Sequence, residues 1–156
     1  MRGTFLWPPF IALTIIAVTG TNGKASVGQF VAQSLESLAM PCGVVGTLGT
    51  GRINTLSMTG MTTPDPITLQ SILADFCHQG MQYAVIEASS HALEQGRLNS
   101  IDIDVAVLTN LSPETTLIII IVWKNIQRLK HDYSIFTSVK TAILNQDDEI
   151  WSELID

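Results

Sequence analysis

The chain has 156 residues, of which 46% are hydrophobic, so it can form one domain of ordinary size around a buried core. Its formal net charge of −6 argues against broad nucleic-acid binding, because a protein that binds phosphate backbones needs a basic surface. Its two cysteines, Cys42 and Cys77, are too few for a disulfide framework, so we expect a reducing compartment, the cytoplasm.

The amino-terminal residues 5–18 are apolar and follow Arg2, as they would in a signal peptide. Pro8 and Pro9 interrupt this stretch, and no small-x-small cleavage motif follows it. The unbroken apolar runs are too short to span a bilayer. We therefore expect neither a secretory leader nor a membrane as partner. The oligomeric state stays open.

The first predicted unit is a strand, a turn and a helix. Residues 12–18 (ALTIIAV) are a short, apolar, β-branched run that ends at a turn, which is typical of a buried strand. Residues 19–24 form the turn. Residues 25–40 carry apolar side chains at helical spacing, and Pro41 ends that helix.

The chain continues this alternation up to Asn110. Pro66 suits the first turn of a helix that Gly80 ends. Alternating strands and helices predict an α/β fold with a mostly parallel sheet and flanking helices. The further predicted elements are a strand over residues 43–48, a Gly/Thr-rich connection over residues 49–61, a helix over residues 66–79, and strands over residues 83–86 and 105–109.

The sequence VTGTNGKAS, residues 18–26, has the pattern of a phosphate-binding loop. A strand ends, glycines let backbone N–H groups face an anion, and the N-terminus of a helix backs the site. Lys24 can then reach the β- and γ-phosphates. The usual loop has Ser or Thr directly after the lysine to bind Mg²⁺, whereas this chain has Ala25 there and Ser26 one residue later.

A glycine-rich turn without a ligand is the alternative, but the lysine at the helix start and the strand before it favour phosphate binding. The residues predicted to bind the phosphates are Gly20, Thr21, Asn22, Gly23, Lys24, Ala25 and Ser26.

The motif TGTNGK resembles the ATP-binding central domain of the Mur ligases and of folylpolyglutamate synthetases. Three further stretches resemble the Mur ligases that add the third residue of the peptidoglycan stem, the UDP-N-acetylmuramoyl-tripeptide synthetases. The stretches are TTPDPITLQ (residues 62–70), EASSHALEQGR (residues 87–97, similar to E-V-S-S-H-x-L-x-Q-x-R) and LTNL (residues 108–111, similar to F-T-N-L). The resemblance covers residues 13–112 and resumes at residues 141–154.

In that family ATP phosphorylates a substrate carboxylate, and an amino acid's amine then attacks the acyl phosphate. Charge develops on the transferred phosphoryl group, so a lysine and Mg²⁺ are needed to stabilise it. The resemblance therefore implies ATP and Mg²⁺ as cofactors, with Lys24 on the phosphates and Glu87 and Ser26 on the metal. The residues that would contact UDP-N-acetylmuramoyl-dipeptide are Thr62, Thr63, Ser89, Gln95 and Arg97, with His91 beside them as a catalytic candidate.

Outside the motif, these residue types have ordinary interpretations. Glu87 alone would be an exposed carboxylate at a strand end, His91 a solvated loop histidine and Arg97 a surface charge. The complete motif favours the functional interpretation for each of them. His78 and His131 lack such support, and we predict that they are solvated.

Two acidic groups are predicted not to form sites. Asp102 and Asp104 alternate with Ile101 and Ile103, which predicts the polar face of a strand rather than a carboxylate pair. Residues 147–149 (DDE) resemble a metal cluster, but we predict a solvated loop or helix start.

The resemblance also implies two further domains, an N-terminal one that binds the uridine part and a C-terminal one that binds the incoming amino acid. We interpret residues 1–156 as a partial central domain without them, and we expect it to be inactive alone. A non-catalytic nucleotide-binding remnant is the alternative. A folylpolyglutamate synthetase-like fragment is a second alternative, against which TTPDP and EASSHALEQGR argue. The added residue, diaminopimelate or lysine, stays open.

Residues 115–135 do not fit the sequence around them. The resemblance implies D-H-L-D-Y-H after T-N-L and then M-E-x-Y-x-x-A-K-x-x-L-F, whose lysine is carbamylated in the family and helps to hold metal. Neither motif is present. New codons can be built from the last base of one codon and the first two bases of the next. Codons of this kind permit both missing motifs, except that the junction of residues 120 and 121 cannot encode an expected glycine. We interpret the segment as frame-shifted, and the alternative is a natural buried strand followed by a basic helix.

The gene sequence tests this interpretation. Read one base earlier from the codon of Thr115, the DNA is expected to spell D-H-L-D-Y-H, and then Ala-Lys across the junctions of residues 128–130. Other bases at these junctions would mean that residues 115–135 are a genuine protein segment.

Overall fold

The computed structural model describes residues 13–110 and 139–147. These residues form one sheet with helices on both of its faces. The strands are Thr14–Thr19 (β1), Cys42–Gly46 (β2), Gly49–Arg52 (β3), Tyr83–Glu87 (β4), Val105–Leu108 (β5) and Thr141–Leu144 (β6), and the helices are Lys24–Ser37 (α1), Pro66–His78 (α2) and Ser90–Glu94 (α3).

The order of strands across the sheet is β3-β2-β4-β1-β5-β6. All neighbouring pairs are parallel except β2 and β3, which form an antiparallel hairpin. The α/β fold with a mostly parallel sheet is therefore confirmed. Strand β1 lies in the interior of the sheet, with β4 on one side and β5 on the other.

The core lies on both faces of the sheet, because side chains of a strand alternate between faces. One cluster packs beneath α2 and α3, and the other beneath α1. Members of the first are Ile15, Ala17, Val45, Leu69, Leu73, Phe76 and Ile86, and members of the second are Ile16, Val18, Ala32, Val44 and Val85. The near-continuous apolar sequence of β1 follows from this burial on both faces.

Strand β3 was not predicted, and the interpretation of residues 49–61 as a plain connection is wrong at Gly49–Arg52. Its sequence, GTGR, has no apolar alternation, so pattern alone does not reveal it. Arg52 holds the hairpin to α1 through a pair with Glu36, whose Oε2 lies 2.7 Å from Arg52 Nη2. The hydrogen bond from Arg52 lowers the pKa of Glu36, which also accepts a bond from the backbone N–H of Cys42.

Helix α1 ends at Ser37, earlier than the predicted end at residue 40. The chain turns at Ala39, whose φ of 58° is left-handed, before it reaches Pro41. The prediction placed the end at the proline, but the backbone leaves the helix one turn before it.

Asp102 and Asp104 do not lie on a strand, so that prediction is wrong. Strand β5 begins only at Val105. The Asp104 carboxylate instead accepts a hydrogen bond of 2.8 Å from the backbone N–H of Ile15 and one from Lys140. It thereby ties the start of β1 to the segment that leads into β6.

The remaining expectations fall partly inside and partly outside the described residues. His78 is exposed at the end of α2, as predicted. Asp147 lies in an exposed turn, whereas residues 148 and 149, His131 and residues 115–135 lie outside the described residues. Within residues 13–110 and 139–147, no helix is long and apolar enough to cross a membrane.

Neither cysteine forms a disulfide within the described residues. Burial raises the pKa of the Cys42 thiol to about 12, and burial also raises the pKa of Cys77. Cys42 is therefore a protonated core side chain at neutral pH.

Gly43 of β2 lies directly against the Phe76 ring of α2. An added Cβ at Gly43 would lie 2.2 Å from Cε2 of Phe76, so Gly43→Ala is expected to destabilise the chain by about 1–3 kcal/mol. Chemical denaturation measures the effect. Gly28→Ala is the matched control, because its Cβ would meet Val85 at 3.4 Å and alanine favours the helix by roughly 0.5–1 kcal/mol. Equal stability of the two variants would contradict the close packing at Gly43.

Candidate functional site

Three parallel strands end side by side at one edge of the sheet. The register pairs Val18 of β1 with Glu87 of β4, and Thr19 of β1 with Leu108 of β5. Because carboxyl ends of parallel strands meet at the same edge, the segments that follow β1, β4 and β5 are brought together there. The segments after β1 and β4 contain the sequence-predicted site residues, except Glu87, which ends β4, and Thr62 and Thr63, which lie between β3 and α2.

The loop after β1 has the backbone geometry of an anion site. Gly20 and Gly23 adopt φ angles of 137° and 82°, which glycine favours. Gly23 is the N-cap residue of α1 and has no side chain to cap the helix, whereas Asp65 and Ser89 cap α2 and α3 through their side chains. Within the described residues, no side chain caps the first-turn N–H groups of α1, and an anion can bind such groups.

The residues after β5 hold this loop in place. The Asn110 side chain accepts from the Asn22 N–H at 2.9 Å and donates to the Asn22 carbonyl at 3.0 Å. The Thr109 hydroxyl donates to the same carbonyl at 2.6 Å. Gly20 lies so close that an added Cβ would be 2.2 Å from Thr109 Oγ1. Glycine is therefore required at position 20 by both conformation and space.

Lys24 is folded over the loop. Its Nζ donates to the carbonyls of Gly20 at 2.8 Å and Thr21 at 3.0 Å. Both acceptors are neutral, so the ammonium is located above the loop without an anionic partner among the described residues. Ala25 is half-buried and Ser26 is exposed in the first turn of α1.

Glu87 is a buried carboxylate at the end of β4, with 2% exposure. Its Oε1 accepts from the backbone N–H of Thr47 at 3.1 Å and its Oε2 from the Thr47 hydroxyl at 2.9 Å. Gly46 provides the space, because a Cβ there would lie 2.1 Å from Oε1. No ion pair to Glu87 occurs within the described part of the chain, although a buried charge normally has a partner.

A hard divalent cation fits this environment, because it takes carboxylate oxygen ligands and would compensate the buried charge. The described residues contain no group of three or more His, Cys, Asp and Glu side chains that could enclose an ion. The remaining ligands of such a cation would therefore be hydroxyls, phosphate oxygens and water.

The segment TTPDPITLQ, residues 62–70, is called the substrate-side segment because the family resemblance predicts substrate contacts there. It crosses the ends of β2 and β4. Thr62 Oγ1 lies 3.0 Å from Thr47 Oγ1. Thr63 is 1% exposed, and its hydroxyl donates to the Glu87 carbonyl at 2.5 Å and accepts from the Ser89 N–H at 3.1 Å. The Thr63 hydroxyl is thus used within the protein, whereas Thr62 is only half-buried.

Arg97 extends this network. Its Nη1 donates to the Thr63 carbonyl at 2.7 Å, and its Nε and Nη2 donate to Oε1 of Gln95 at 2.9 Å and 2.6 Å. Thr63, Glu87, Ser89, Gln95 and Arg97 are therefore connected in one cluster. His91 lies apart on the exposed side of α3, and its imidazole bonds to none of the described residues.

Sequence reasoning assigned no role to three residues that shape the site: Thr47, Thr109 and Asn110. The LTNL motif contains two of them and could have indicated them, since polar residues directly after a strand of a parallel sheet reach its carboxyl edge. Thr47 follows β2 in a glycine-rich stretch that carries no motif, so no pattern indicated it.

A family model described as the Mur ligase middle domain matches residues 18–156. The 2,6-diaminopimelate ligase of UDP-N-acetylmuramoyl-L-alanyl-D-glutamate from Pseudomonas putida is 51% identical over 112 residues, which are 72% of this chain and 23% of that protein. The enzyme of the same name from Coxiella burnetii is 48% identical over 104 residues, 67% of this chain and 21% of its own.

A solved structure titled as the same type of ligase superimposes with a TM-score of 0.74 and 37% sequence identity. The match covers 92% of this chain and 28% of that one. This chain therefore spans about a quarter of the length of the proteins it resembles.

Asn110 is expected to determine how firmly the loop is held. Asn110→Ala removes both side-chain bonds to Asn22, worth roughly 0.5–1.5 kcal/mol each, so the Asn22 amide should exchange its hydrogen faster. Hydrogen exchange read by NMR measures this. Asn54→Ala, in the exposed turn after β3, is the control. Unchanged protection at Asn22 would mean that Asn110 does not hold the loop.

Proposed function

This chain belongs to the Mur ligase family through its middle domain, and we propose that it forms the nucleotide- and substrate-binding part of an ATP-dependent ligase. The proposed reaction joins 2,6-diaminopimelate to UDP-N-acetylmuramoyl-L-alanyl-D-glutamate, as the names of the relatives state for those proteins. The structural observation that supports it most is the glycine-shaped loop before α1, next to the buried carboxylate of Glu87; among the described residues the loop has no side-chain cap and Glu87 has no ion-pair partner. One element suits phosphates and the other suits their cation.

The loop would bind the phosphates of ATP through the first-turn N–H groups of α1 and through Lys24. Lys24 would exchange two neutral carbonyl partners for charged phosphate oxygens, which form stronger hydrogen bonds. Residues 20–26 all lie in this loop or first turn. When bound, ATP with its cation supplies the phosphoryl group that activates the substrate carboxylate.

Glu87 and Ser26 are proposed to hold Mg²⁺. Glu87 belongs to the strand beside β1, and Ser26 to the helix that follows β1, so each reaches the edge where the phosphates would lie. Each oxygen of an ionised carboxylate has two acceptor sites, of which Thr47 uses one on each oxygen of Glu87. The others are left for a cation.

Arg97 is the proposed anchor for the acidic UDP-muramoyl-dipeptide. Three of its five N–H groups are used by Thr63 and Gln95, which fixes the guanidinium plane, and the others can bind an anion. Thr62, Ser89 and Gln95 would complete the contacts.

Thr63 would contribute by positioning Ser89 and Arg97, to which it is hydrogen-bonded, since its own hydroxyl is buried. His91, on the open side of α3, is the proposed catalytic residue nearest to solvent.

Binding measurements with the 156-residue chain test the substrate class. Calorimetry is expected to detect binding of UDP-N-acetylmuramoyl-L-alanyl-D-glutamate and to detect no binding of dihydrofolate. Dihydrofolate binding would favour the folylpolyglutamate synthetase alternative, and failure to bind either ligand while ATP binds would favour a non-catalytic nucleotide-binding protein.

Lys24→Met is expected to weaken MgATP binding by roughly tenfold or more, because a charge-assisted hydrogen bond is worth about 1.5–3 kcal/mol. Isothermal titration calorimetry measures the affinity, and thermal unfolding verifies the fold of the variant. Lys140→Met is the control, since it makes the same charge change at Asp104, at the opposite end of the strands. An equal loss of affinity in both variants would remove the specific role of Lys24.

A further inference from the structure

Thr47 makes two hydrogen bonds to the same carboxylate. It follows β2, the neighbour of β4, and its backbone N–H and its hydroxyl each bind one oxygen of Glu87, at 3.1 Å and 2.9 Å. A carboxylate held at both oxygens cannot rotate freely about its terminal bond. Thr47 is itself exposed, whereas Glu87 is 2% exposed, so the buried carboxylate is held by a residue that contacts solvent.

The hydroxyl of Thr47 also fixes the direction of a chain of hydrogen bonds. A hydroxyl has one hydrogen, and an ionised carboxylate can only accept, so the Thr47 hydrogen goes to Oε2 of Glu87. In the 3.0 Å contact between Thr47 and Thr62, the donor must therefore be Thr62. These hydrogen bonds run from the Thr62 hydroxyl to the Thr47 hydroxyl and from there to the Glu87 carboxylate.

We propose that Thr47 is a positioning residue, which orients the Glu87 carboxylate for the divalent cation and links it to the substrate-side segment at Thr62. This inference rests on the proposed role of Glu87 in holding the cation. Residues that hydrogen-bond a metal-binding carboxylate fix its orientation, and their loss commonly lowers metal affinity by about 10–100-fold. Because donors in a chain polarise one another, a change at Thr62 is transmitted to Glu87 through Thr47.

The test separates a role in cation binding from a role in loop structure. Calorimetry measures the affinity for ATP once with Mg²⁺ and once with EDTA. The ratio of the two affinities is the factor by which the cation strengthens ATP binding, called the Mg²⁺ gain. Thr47→Val keeps the backbone N–H and the side-chain shape but removes the hydroxyl. It is expected to leave metal-free ATP affinity within about twofold of wild type and to reduce the Mg²⁺ gain roughly tenfold. Thr47→Ser, which keeps the hydroxyl, is expected to restore the gain.

Thr59→Val is the matched control. Among the described residues, the hydroxyl of Thr59 bonds to the Met61 carbonyl alone, so the variant should retain the full gain. Thr62→Val is expected to lower the gain by a smaller factor than Thr47→Val, and an unchanged gain would overturn the link to Thr62. If Thr47→Val keeps the Mg²⁺ gain, or weakens metal-free ATP as much as MgATP, the positioning role is overturned. A wild-type chain that binds ATP equally well with and without Mg²⁺ would overturn the proposed role of Glu87, and the role of Thr47 with it.

Discussion

The parallel pairing of β1 with β4 on one side and with β5 on the other is the interaction on which the site depends. It places the loop of residues 19–24, the Glu87 carboxylate and the Thr109–Asn110 pair at one edge of the sheet. These three segments are far apart in the sequence, and they form one site only because the strands that carry them are paired in the sheet. Asn110 holds the loop, and the loop in turn leaves the N-terminus of α1 open to an anion.

The second constraint is the burial of Glu87. A carboxylate in the interior is strongly unfavourable unless hydrogen bonds or an opposite charge compensate it. Thr47 supplies two hydrogen bonds, and Gly46 supplies room beside Oε1. No cationic side chain among the described residues forms an ion pair with Glu87, so hydrogen bonds alone compensate its carboxylate within this part of the chain. Arg97 is similar, since neutral oxygens fix its guanidinium plane and no acidic side chain among the described residues forms an ion pair with it.

Much of this arrangement follows from sequence. The apolar run of β1, the glycine pattern of the loop and the proline-initiated α2 each have a local physical cause, and the parallel sheet follows from their alternation. Strand β3 could not be predicted, because its sequence, GTGR, has no apolar alternation and its hairpin is held to α1 by the distant pair of Arg52 with Glu36. Asp104 looked like part of a polar strand face because its true partner, the Ile15 N–H, is 89 positions away. Thr47 was missed for the same reason, as its role exists only once β2 and β4 are paired.

The position of β1 has a consequence for how the chain is made. β1 comes first among the described elements, yet its two partners in the sheet come late, since Thr14 pairs with Tyr83 and Ile16 with Val105. On the ribosome, β1 is synthesised long before either partner exists, and the β2–β3 hairpin and α1 can form only local contacts in the meantime. Parallel pairing between distant segments is slow and leaves apolar surface open to aggregation while it is incomplete. Until β4 and β5 are synthesised, β1 is therefore an apolar segment without its sheet partners, and a chaperone that binds nascent chains would shield it from aggregation.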